Sequence, residues 1–199
     1  MISVYKLKPK FQQLLMPVLL FLNKRNITAN QITIASIVLS LFIAFLFWYA
    51  NTSKWLFLSL PIGLLLRMAL NALDGMMARQ FNQTSKLGEV LNELGDVVSD
   101  VVIFLPLLKF QPESLYLIVI FIVLGVVNEF AGILGKTVGN QRRYDGPMGK
   151  SDRALLMGIY GVLMVCGVSI TKISIYIFGI IILLLVISTY KRVKSALKG

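Results

Sequence analysis

Apolar residues along this chain come in six long runs separated by short polar stretches. Each run is close to the roughly 20 residues that an α-helix needs to cross the hydrocarbon core of a bilayer. We therefore expect an all-α integral membrane protein that forms one membrane domain over residues 1–199. The six predicted transmembrane helices cover residues 30–50, 55–78, 87–108, 114–135, 153–170 and 172–190.

The first 26 residues have a different pattern from the six runs. They are basic and amphipathic, and they contain Pro9 and Pro17. No small-residue cleavage site follows a short apolar core, so a cleavable signal peptide is not expected. We expect residues 1–26 to form an amphipathic helix on the membrane surface, with its lysines near anionic lipid headgroups.

Basic residues are divided unevenly between the connections. The connections after the first, third and fifth runs carry one lysine each, namely Lys54, Lys109 and Lys172. Sixteen of the 20 Lys and Arg residues lie in the two terminal segments and the other connections. Because cytoplasmic connections are enriched in Lys and Arg, we expect a multi-pass protein of the bacterial inner membrane with both termini cytoplasmic.

The composition narrows the chemistry. The chain has no His, which excludes histidine metal sites and catalytic triads that need an imidazole. A metal here would need oxygen ligands, which favours a hard cation such as Mg²⁺ or Mn²⁺. The net charge of +11 is explained by the membrane topology, and we expect no nucleic-acid partner.

Carboxylates are concentrated around the connection between the second and third runs. At about 100° per residue, Asn71, Asp74 and Ala78 share one helix face, with Arg67 one turn deeper. The third run carries a polar stripe made of Glu89, Asn92, Glu93, Asp96 and Asp100. Like charges so close together repel, and a bound divalent cation would remove the conflict. The alternative is a water-filled polar cleft without a metal.

Small residues accompany these acids. Gly75 and Ala78 lie beside Asp74, and Gly88 lies one turn before Asn92. Missing side chains let a ligand approach the backbone closely. Acids for a metal, an arginine and small residues at helical spacing suit a nucleotide diphosphate, because phosphoryl transfer depends on positioning and charge neutralisation.

The segment from Asn71 to Asp96 resembles the signature of the CDP-alcohol phosphatidyltransferase family, D-x2-D-G-x2-A-R-x8-G-x3-D-x3-D. Six of its eight fixed positions match, namely Asp74, Gly75, Ala78, Arg79, Gly88 and Asp96. The stretch Ile27–Thr33 resembles the start of the first span in this family, and the stretch Arg79–Gly88 is similar to the phosphatidylglycerophosphate synthase branch. The segments NALDGM and GPMGKSDRA look closer still to YnbA-type bacterial inner-membrane proteins.

The resemblance implies a transferase that moves a phosphatidyl group from CDP-diacylglycerol or another CDP-linked lipid to an alcohol acceptor, with release of CMP. It implies Mg²⁺ or Mn²⁺ held at the positions of Asn71, Asp74, Asn92 and Asp96, with Asp96 as the general base. Nucleotide-binding positions fall on Asp74, Gly75, Ala78, Arg79 and Gly88. It also implies a homodimer in contact with membrane lipids.

Asn71 and Asn92 replace two of the four family aspartates. An asparagine can lend a carbonyl oxygen to a metal but brings no charge. Asp100 and Glu93, or Glu89, could compensate, and Asp100, a further candidate metal ligand, lies one turn beyond Asp96 on the same stripe. Two alternatives to an active transferase stay open: an inactive relative that binds CDP-lipid or phospholipid, and a small transporter or channel.

The loop from Gly139 to Arg153 is the longest polar stretch and is basic. We expect it to contact lipid headgroups or to bind an acceptor or lipid phosphate, since Lys and Arg suit phosphate. The candidates for phosphate binding are Arg142, Arg143, Lys150 and Arg153. Glu129 lies inside the fourth run, and we expect it to pair with Arg67 or Arg79, to belong to the acceptor site, or only to bond a neighbouring helix.

Overall fold

The structure is a computed structural model that describes residues 8–139 and 141–198. This part of the chain forms α-helices and short 3-10 turns, without β-strands. The turns precede α3, α6 and α8. The helices are α1 (Lys8–Lys24), α2 (Ala29–Trp48), α3 (Ser59–Gln80), α4 (Lys86–Phe104), α5 (Leu107–Phe110), α6 (Leu115–Gly139), α7 (Lys150–Val165) and α8 (Ser174–Ala196).

Four helical segments within the described residues are long and apolar enough to cross a membrane. They are Ala29–Trp48, Lys54–Gln80, Pro112–Gly139 and Thr171–Ala196. Helix α4 falls outside this set because it carries the polar stripe, and α7 because it has only 16 residues. The all-helical prediction is confirmed for the described residues, and the count of six spans stays a prediction.

Helix bounds differ from the predicted ones mainly at the polar end of the bundle. Helices α6 and α8 continue several residues past their apolar runs, because their basic last turns are also helical. Helix α7 ends at Val165, and Gly167 adopts a positive φ of 77° shortly after it. The predicted surface helix corresponds to α1, and residues 1–7 lie outside the described residues.

Local sequence signals set the starts of the helices around the site. Thr28 caps α2 by accepting a hydrogen bond from the backbone of Gln31, whose side chain accepts one from the backbone of Thr28. Ser85 caps α4 by accepting from the backbone N–H of Gly88, 3.0 Å away. Such caps satisfy backbone donors that a helix start leaves unpaired. They fix the first turns of the two helices that flank the predicted site.

The helices pack in pairs that separate an apolar half from a polar end. Helix α2 packs against α3 and α4, α6 packs against α8, and α7 packs against α3. The larger apolar cluster includes Phe47, Phe57 and Phe121, and a smaller cluster joins α1 to the ends of α2 and α3. Buried charged residues are confined to the polar end of the bundle: Arg67, Asp74, Asp100, Glu129, Arg153 and Arg192.

Candidate functional site

A pocket of about 460 Å³ opens at the polar end, between the first turn of α2, the last turns of α3 and the first turns of α4. It is the place where the predicted nucleotide-binding residues Asp74, Gly75, Ala78, Arg79 and Gly88 come together. The loop between α3 and α4 closes one side with Gln83, Thr84, Ser85 and Lys86, and α2 contributes Ala29, Asn30 and Thr33.

Asp74 lies at the inner wall of this pocket and is only 5% exposed. The hydroxyl of Thr33 lies 3.0 Å from its Oδ2 atom and can donate to it. Asn92 lines the same pocket from α4. A buried carboxylate with one side-chain donor among the described residues keeps lone pairs for a cation. Asp74 and Asn92 therefore face the pocket as oxygen donors, together with Glu89, whose Oε1 pairs with Lys136 at the rim.

Asn71 does not present its carbonyl oxygen to the pocket. Its side-chain oxygen accepts a hydrogen bond from the Ser36 hydroxyl at 2.6 Å, and its amide donates to Oδ1 of Asp96 at 3.0 Å. Both ends of the amide are therefore used within the protein. In this arrangement Asn71 positions Asp96 instead of offering an oxygen to a metal.

Asp96 is surrounded by positive charge as well. Lys150, at the start of α7, forms an ion pair with its carboxylate. Arg67 Nη2 lies 3.6 Å from Asp96 Oδ1 and donates to the Asp96 backbone carbonyl at 3.2 Å. Charge-assisted contacts this close hold the carboxylate in one orientation. The catalytic candidate is thus a fixed, charged group behind the pocket.

The predicted small residues lie where a ligand would need space. A side chain at Gly88 would place its Cβ 2.6 Å from Asn30 Oδ1, and one at Gly75 would place it 3.2 Å from Arg79 Nη1. Because these neighbours line the pocket, the two glycines keep Asn30 and Arg79 free to face it. The guanidinium of Arg79 is exposed at the pocket mouth.

Asp100 lies one turn beyond Asp96 and is not part of the pocket wall. Its Oδ1 is 2.6 Å from Arg67 Nη1, and its Oδ2 is 2.7 Å from Arg153 Nη2. Both carboxylate oxygens are thus held by buried arginines. The structure does not bring Asp100 to the oxygen donors of the pocket.

Glu129, on α6, lies among three arginines. Its Oε2 is 3.0 Å from Arg142 Nη2, and its Oε1 is 3.0 Å from Arg153 Nη2 and 3.5 Å from Arg192 Nη1. The expectation that it would pair with Arg67 or Arg79 is wrong, because those arginines lie on α3 and the loop after α6 supplies a closer partner.

The basic loop between α6 and α7 is folded against the helices. Arg142 also reaches Glu93 on α4, with 2.6 Å between Nη1 and Oε1. Arg143 donates its backbone N–H to the Gly132 carbonyl at 3.0 Å, and its backbone lies in a groove that the glycines of α6 leave open. Three of the four predicted phosphate-binding residues, Arg142, Lys150 and Arg153, are therefore in ion pairs with internal carboxylates.

Several residues of the site were not among the predicted ones. Thr33 and Ser36 contact Asp74 and Asn71 from α2, and Arg192 reaches the site from α8. A signal for the first two exists, since Thr33, Ser36 and Ser40 recur at helical spacing in an apolar run. Arg192 carries no such signal, because it lies among the other basic residues of the C-terminal segment.

The oxygen ligands that the protein supplies limit how a metal ion can be bound in the pocket. Within residues 8–139 and 141–198, no group of three or more Asp, Glu or Cys side chains is arranged to hold an ion. Asp74 and Asn92 supply oxygens of the kind that Mg²⁺ and Mn²⁺ prefer, but too few for a complete shell. These residues fit one hard cation whose remaining ligands come from substrate and water.

Sequence comparison assigns the chain to a class. Residues 26–194 match the model of the CDP-alcohol phosphatidyltransferase family. The chain belongs to this family and is a transferase of phospholipid biosynthesis.

The similar proteins agree with this assignment. The inner membrane protein YnbA of Escherichia coli (strain K12) is 46% identical over 160 residues, which cover 80% of this chain and 79% of YnbA. The fold is similar to phosphatidylinositol phosphate synthase of Mycobacterium tuberculosis, at 19% identity. Its complex with manganese and citrate gives a TM-score of 0.74 over 90% of this chain and 87% of that chain. Its CDP-DAG complex gives 0.75 over 90% and 92%.

Proposed function

We propose that this protein transfers a phosphatidyl group from CDP-diacylglycerol, or a related CDP-linked lipid, to an alcohol acceptor. The observation that carries the proposal is the pocket that joins Asp74, Gly75, Arg79 and Gly88, with the fixed carboxylate of Asp96 behind it. The related synthase with CDP-DAG bound has the same fold and supports this choice of donor.

In this proposal the nucleotide lies in the pocket, and Gly75, Ala78 and Gly88 let its phosphates approach the helix backbones. Arg79 and Lys86 face the same space and suit a diphosphate. Asp74 and Asn92 would hold a Mg²⁺ or Mn²⁺ ion, which supplies charge neutralisation for the diphosphate when it is bound. The manganese in the related synthase supports a divalent ion at this place.

The reaction needs one proton transfer, and we assign it to Asp96. The acceptor hydroxyl gives its proton to the Asp96 carboxylate as its oxygen bonds to the lipid-side phosphorus. The bond from that phosphorus to the bridging oxygen breaks, and CMP leaves with the electron pair. Asn71, Arg67 and Lys150 orient Asp96 through their contacts with its carboxylate and backbone.

We further propose six membrane spans in the bacterial inner membrane, with both termini and the pocket on the cytoplasmic side. Four apolar helices and the similarity to an inner membrane protein support this location. Helices α4 and α7 complete the six, because α4 packs along α2 and α7 along α3. Helix α1 then lies at the membrane surface, where Leu14, Val18 and Phe21 expose apolar side chains. A homodimer is part of this proposal.

A second candidate is a relative that binds CDP-lipid without turnover. The ion pair of Lys150 with Asp96 favours it, because Lys150 contacts the same Asp96 oxygen, Oδ1, to which Asn71 donates, which leaves less of the carboxylate open to an acceptor hydroxyl. Such a protein would hold the CDP-lipid in the same pocket. The two candidates therefore differ in catalysis and not in binding.

The deciding experiment is the release of CMP from CDP-diacylglycerol by the purified full-length protein, with Mn²⁺, with Mg²⁺ and with EDTA, across a panel of alcohols. We expect CMP only with metal, and a loss of roughly 10²–10⁴-fold in Asp96→Asn. Glu113→Gln, an exposed change in the turn before α6, is the matched control. CDP-lipid binding without CMP under every condition would establish the second candidate.

A further inference from the structure

Charged side chains at the polar end form a continuous network behind the pocket. It joins α3, α4, α6, α7, α8 and the loop 141–149. We call it the ion network. Its members are four carboxylates, Glu93, Asp96, Asp100 and Glu129, and five cations, Arg67, Arg142, Lys150, Arg153 and Arg192.

Every cation of the ion network already faces a carboxylate of the protein. Glu129 is the most connected member, with three arginines within 3.5 Å of its oxygens, and is 4% exposed. Arg153 and Arg192 are each 1% exposed. Buried charges of opposite sign at these distances form a neutralised cluster that leaves little positive charge for a further anion.

The ion network lies on the side of Asp96 from which the acceptor alcohol would approach in the proposed reaction. The pocket is bounded by α2 and the ends of α3 and α4, and Asp96 follows its Asn92 wall by one helical turn without lining it. Lys150, Arg67 and Asn71 surround Asp96 on its other sides. An alcohol that reaches Asp96 from outside the pocket must therefore approach through the ion network, on the side of α6 and α7.

A phosphate on that alcohol would meet Glu129. To bond Arg142, Arg153 or Arg192 it must come within contact distance of the same carboxylate that these arginines already bind. Like charges at that distance disfavour binding and act as an element of specificity. What the network still offers is one N–H donor on each of Arg142, Arg153 and Arg192, because in the described residues their Nε atoms have no partner.

We propose that Glu129 determines acceptor specificity by occupying the arginine cluster, so that the acceptor is an alcohol without a phosphate monoester. The inference rests on the proposed transferase function and names its substrate class. It replaces the expectation that Arg142, Lys150 and Arg153 hold an acceptor phosphate. Unpartnered N–H donors suit the oxygen atoms of an uncharged polyol or of a headgroup hydroxyl.

The test measures anion binding and does not require turnover. The thermal unfolding midpoint of the purified protein is recorded with inorganic phosphate and with glycerol 3-phosphate, against sodium chloride of equal ionic strength. Wild type and Glu113→Gln should show at most the same small shift from phosphate held in the pocket by Arg79 and Lys86, and Arg192→Gln should leave that shift unchanged. Glu129→Gln should gain a phosphate-dependent rise of about 3 °C, because a ligand that binds only the folded state raises its stability.

A specific rise already present in wild type and lost in Arg192→Gln would overturn the proposal. So would the absence of any rise in a folded Glu129→Gln protein, because Glu129 would then not be what excludes phosphate. If Glu129→Gln does not fold, the charge-balanced double variant Glu129→Gln/Arg192→Gln decides, since Arg142 and Arg153 remain to bind the anion. We expect it to show the rise, and its absence would also overturn the proposal.

CMP release is measured separately, so that failure of the proposed transferase function can be distinguished from failure of the specificity proposal. CMP release by wild type is compared between glycerol and glycerol 3-phosphate, and we expect the uncharged alcohol to be favoured at least about tenfold. CMP release that prefers glycerol 3-phosphate would contradict the specificity proposal alone. No CMP release with either alcohol or any other acceptor would contradict the transferase proposal, while the phosphate-binding result would still stand.

Discussion

The pocket and the ion network lie side by side but manage charge in opposite ways. In the pocket, Asp74 is buried with one side-chain donor, and its neighbour Asn92 carries no charge. In the network, each carboxylate is bound by one to three cations of the protein itself. The pocket can still bind a charged ligand, whereas the charges of the ion network already compensate one another.

This difference indicates a division of work between binding and stability. A buried carboxylate that lacks a cation costs free energy of folding unless a ligand supplies the charge. A buried carboxylate held by arginines keeps the helices in register, and removing a partner is costly. Changes in the pocket should therefore affect catalysis more than folding, and changes in the network should affect folding first.

Among the changes that separate the pocket from the ion network, Asp74→Asn should have the largest effect on catalysis. The variant loses the buried carboxylate of the pocket, and we expect CMP release to fall by roughly 10²–10³-fold. Its stability without metal should stay equal or rise by about 1 kcal/mol, because a buried unpaired charge is removed. CMP release and unfolding in detergent, measured on the same preparation, check both parts. A variant that is both inactive and unfolded would contradict the division.

Arg67→Met should have the opposite profile. Arg67 is 3% exposed and lies between Asp96 and Asp100. Its loss leaves these two carboxylates with fewer cations. We expect the free energy of unfolding to fall by about 3 kcal/mol. Arg79→Met on the same helix is the matched control, because Arg79 is exposed at the pocket and should affect nucleotide binding with little change in stability. Equal losses of stability in both variants would refute the comparison.

Changing Asn92 and Asn71 to the aspartates of the family signature should have different effects at the two positions. Asn92 lines the pocket, so Asn92→Asp adds a charged ligand and should lower the Mn²⁺ concentration for half-saturation about tenfold. Asn71→Asp places a carboxylate against Asp96 in place of an amide donor, so it should gain less and lose stability. Mn²⁺ binding followed by electron paramagnetic resonance gives the result without turnover. Equal gains in both variants would show that Asn71 also faces the metal.

Whether a feature could be predicted from the sequence depends on how far apart its interacting residues lie along the chain. The helical fold follows from the apolar runs. The two walls of the pocket follow from Asp74, Gly75 and Arg79 on α3 and from Gly88 and Asn92 on α4, because residues at helical spacing share a face of their own helix. Ser85 and Thr28 also signal their helix starts locally.

The ion network could not be predicted in the same way. Glu129 and Arg192 are separated by 63 positions and meet only because α6 packs against α8. Arg142 reaches Glu93 because the loop after α6 folds back over glycines. Helix packing decides which acid pairs with which base. The expected pairing of Glu129 with Arg67 or Arg79 is therefore wrong.

The smallest expected effect tests whether burial, and not the number of ion pairs, separates the two regions. Lys136 and Glu89 form an ion pair at the rim of the bundle, and each side chain is 53% exposed. Water screens such a pair, so Lys136→Gln should change the free energy of unfolding by less than about 0.5 kcal/mol. Unfolding at low and high salt checks this, with Arg67→Met measured alongside. If Lys136→Gln proved as destabilising as Arg67→Met, the stabilising role would belong to every ion pair at this end and not to the buried network.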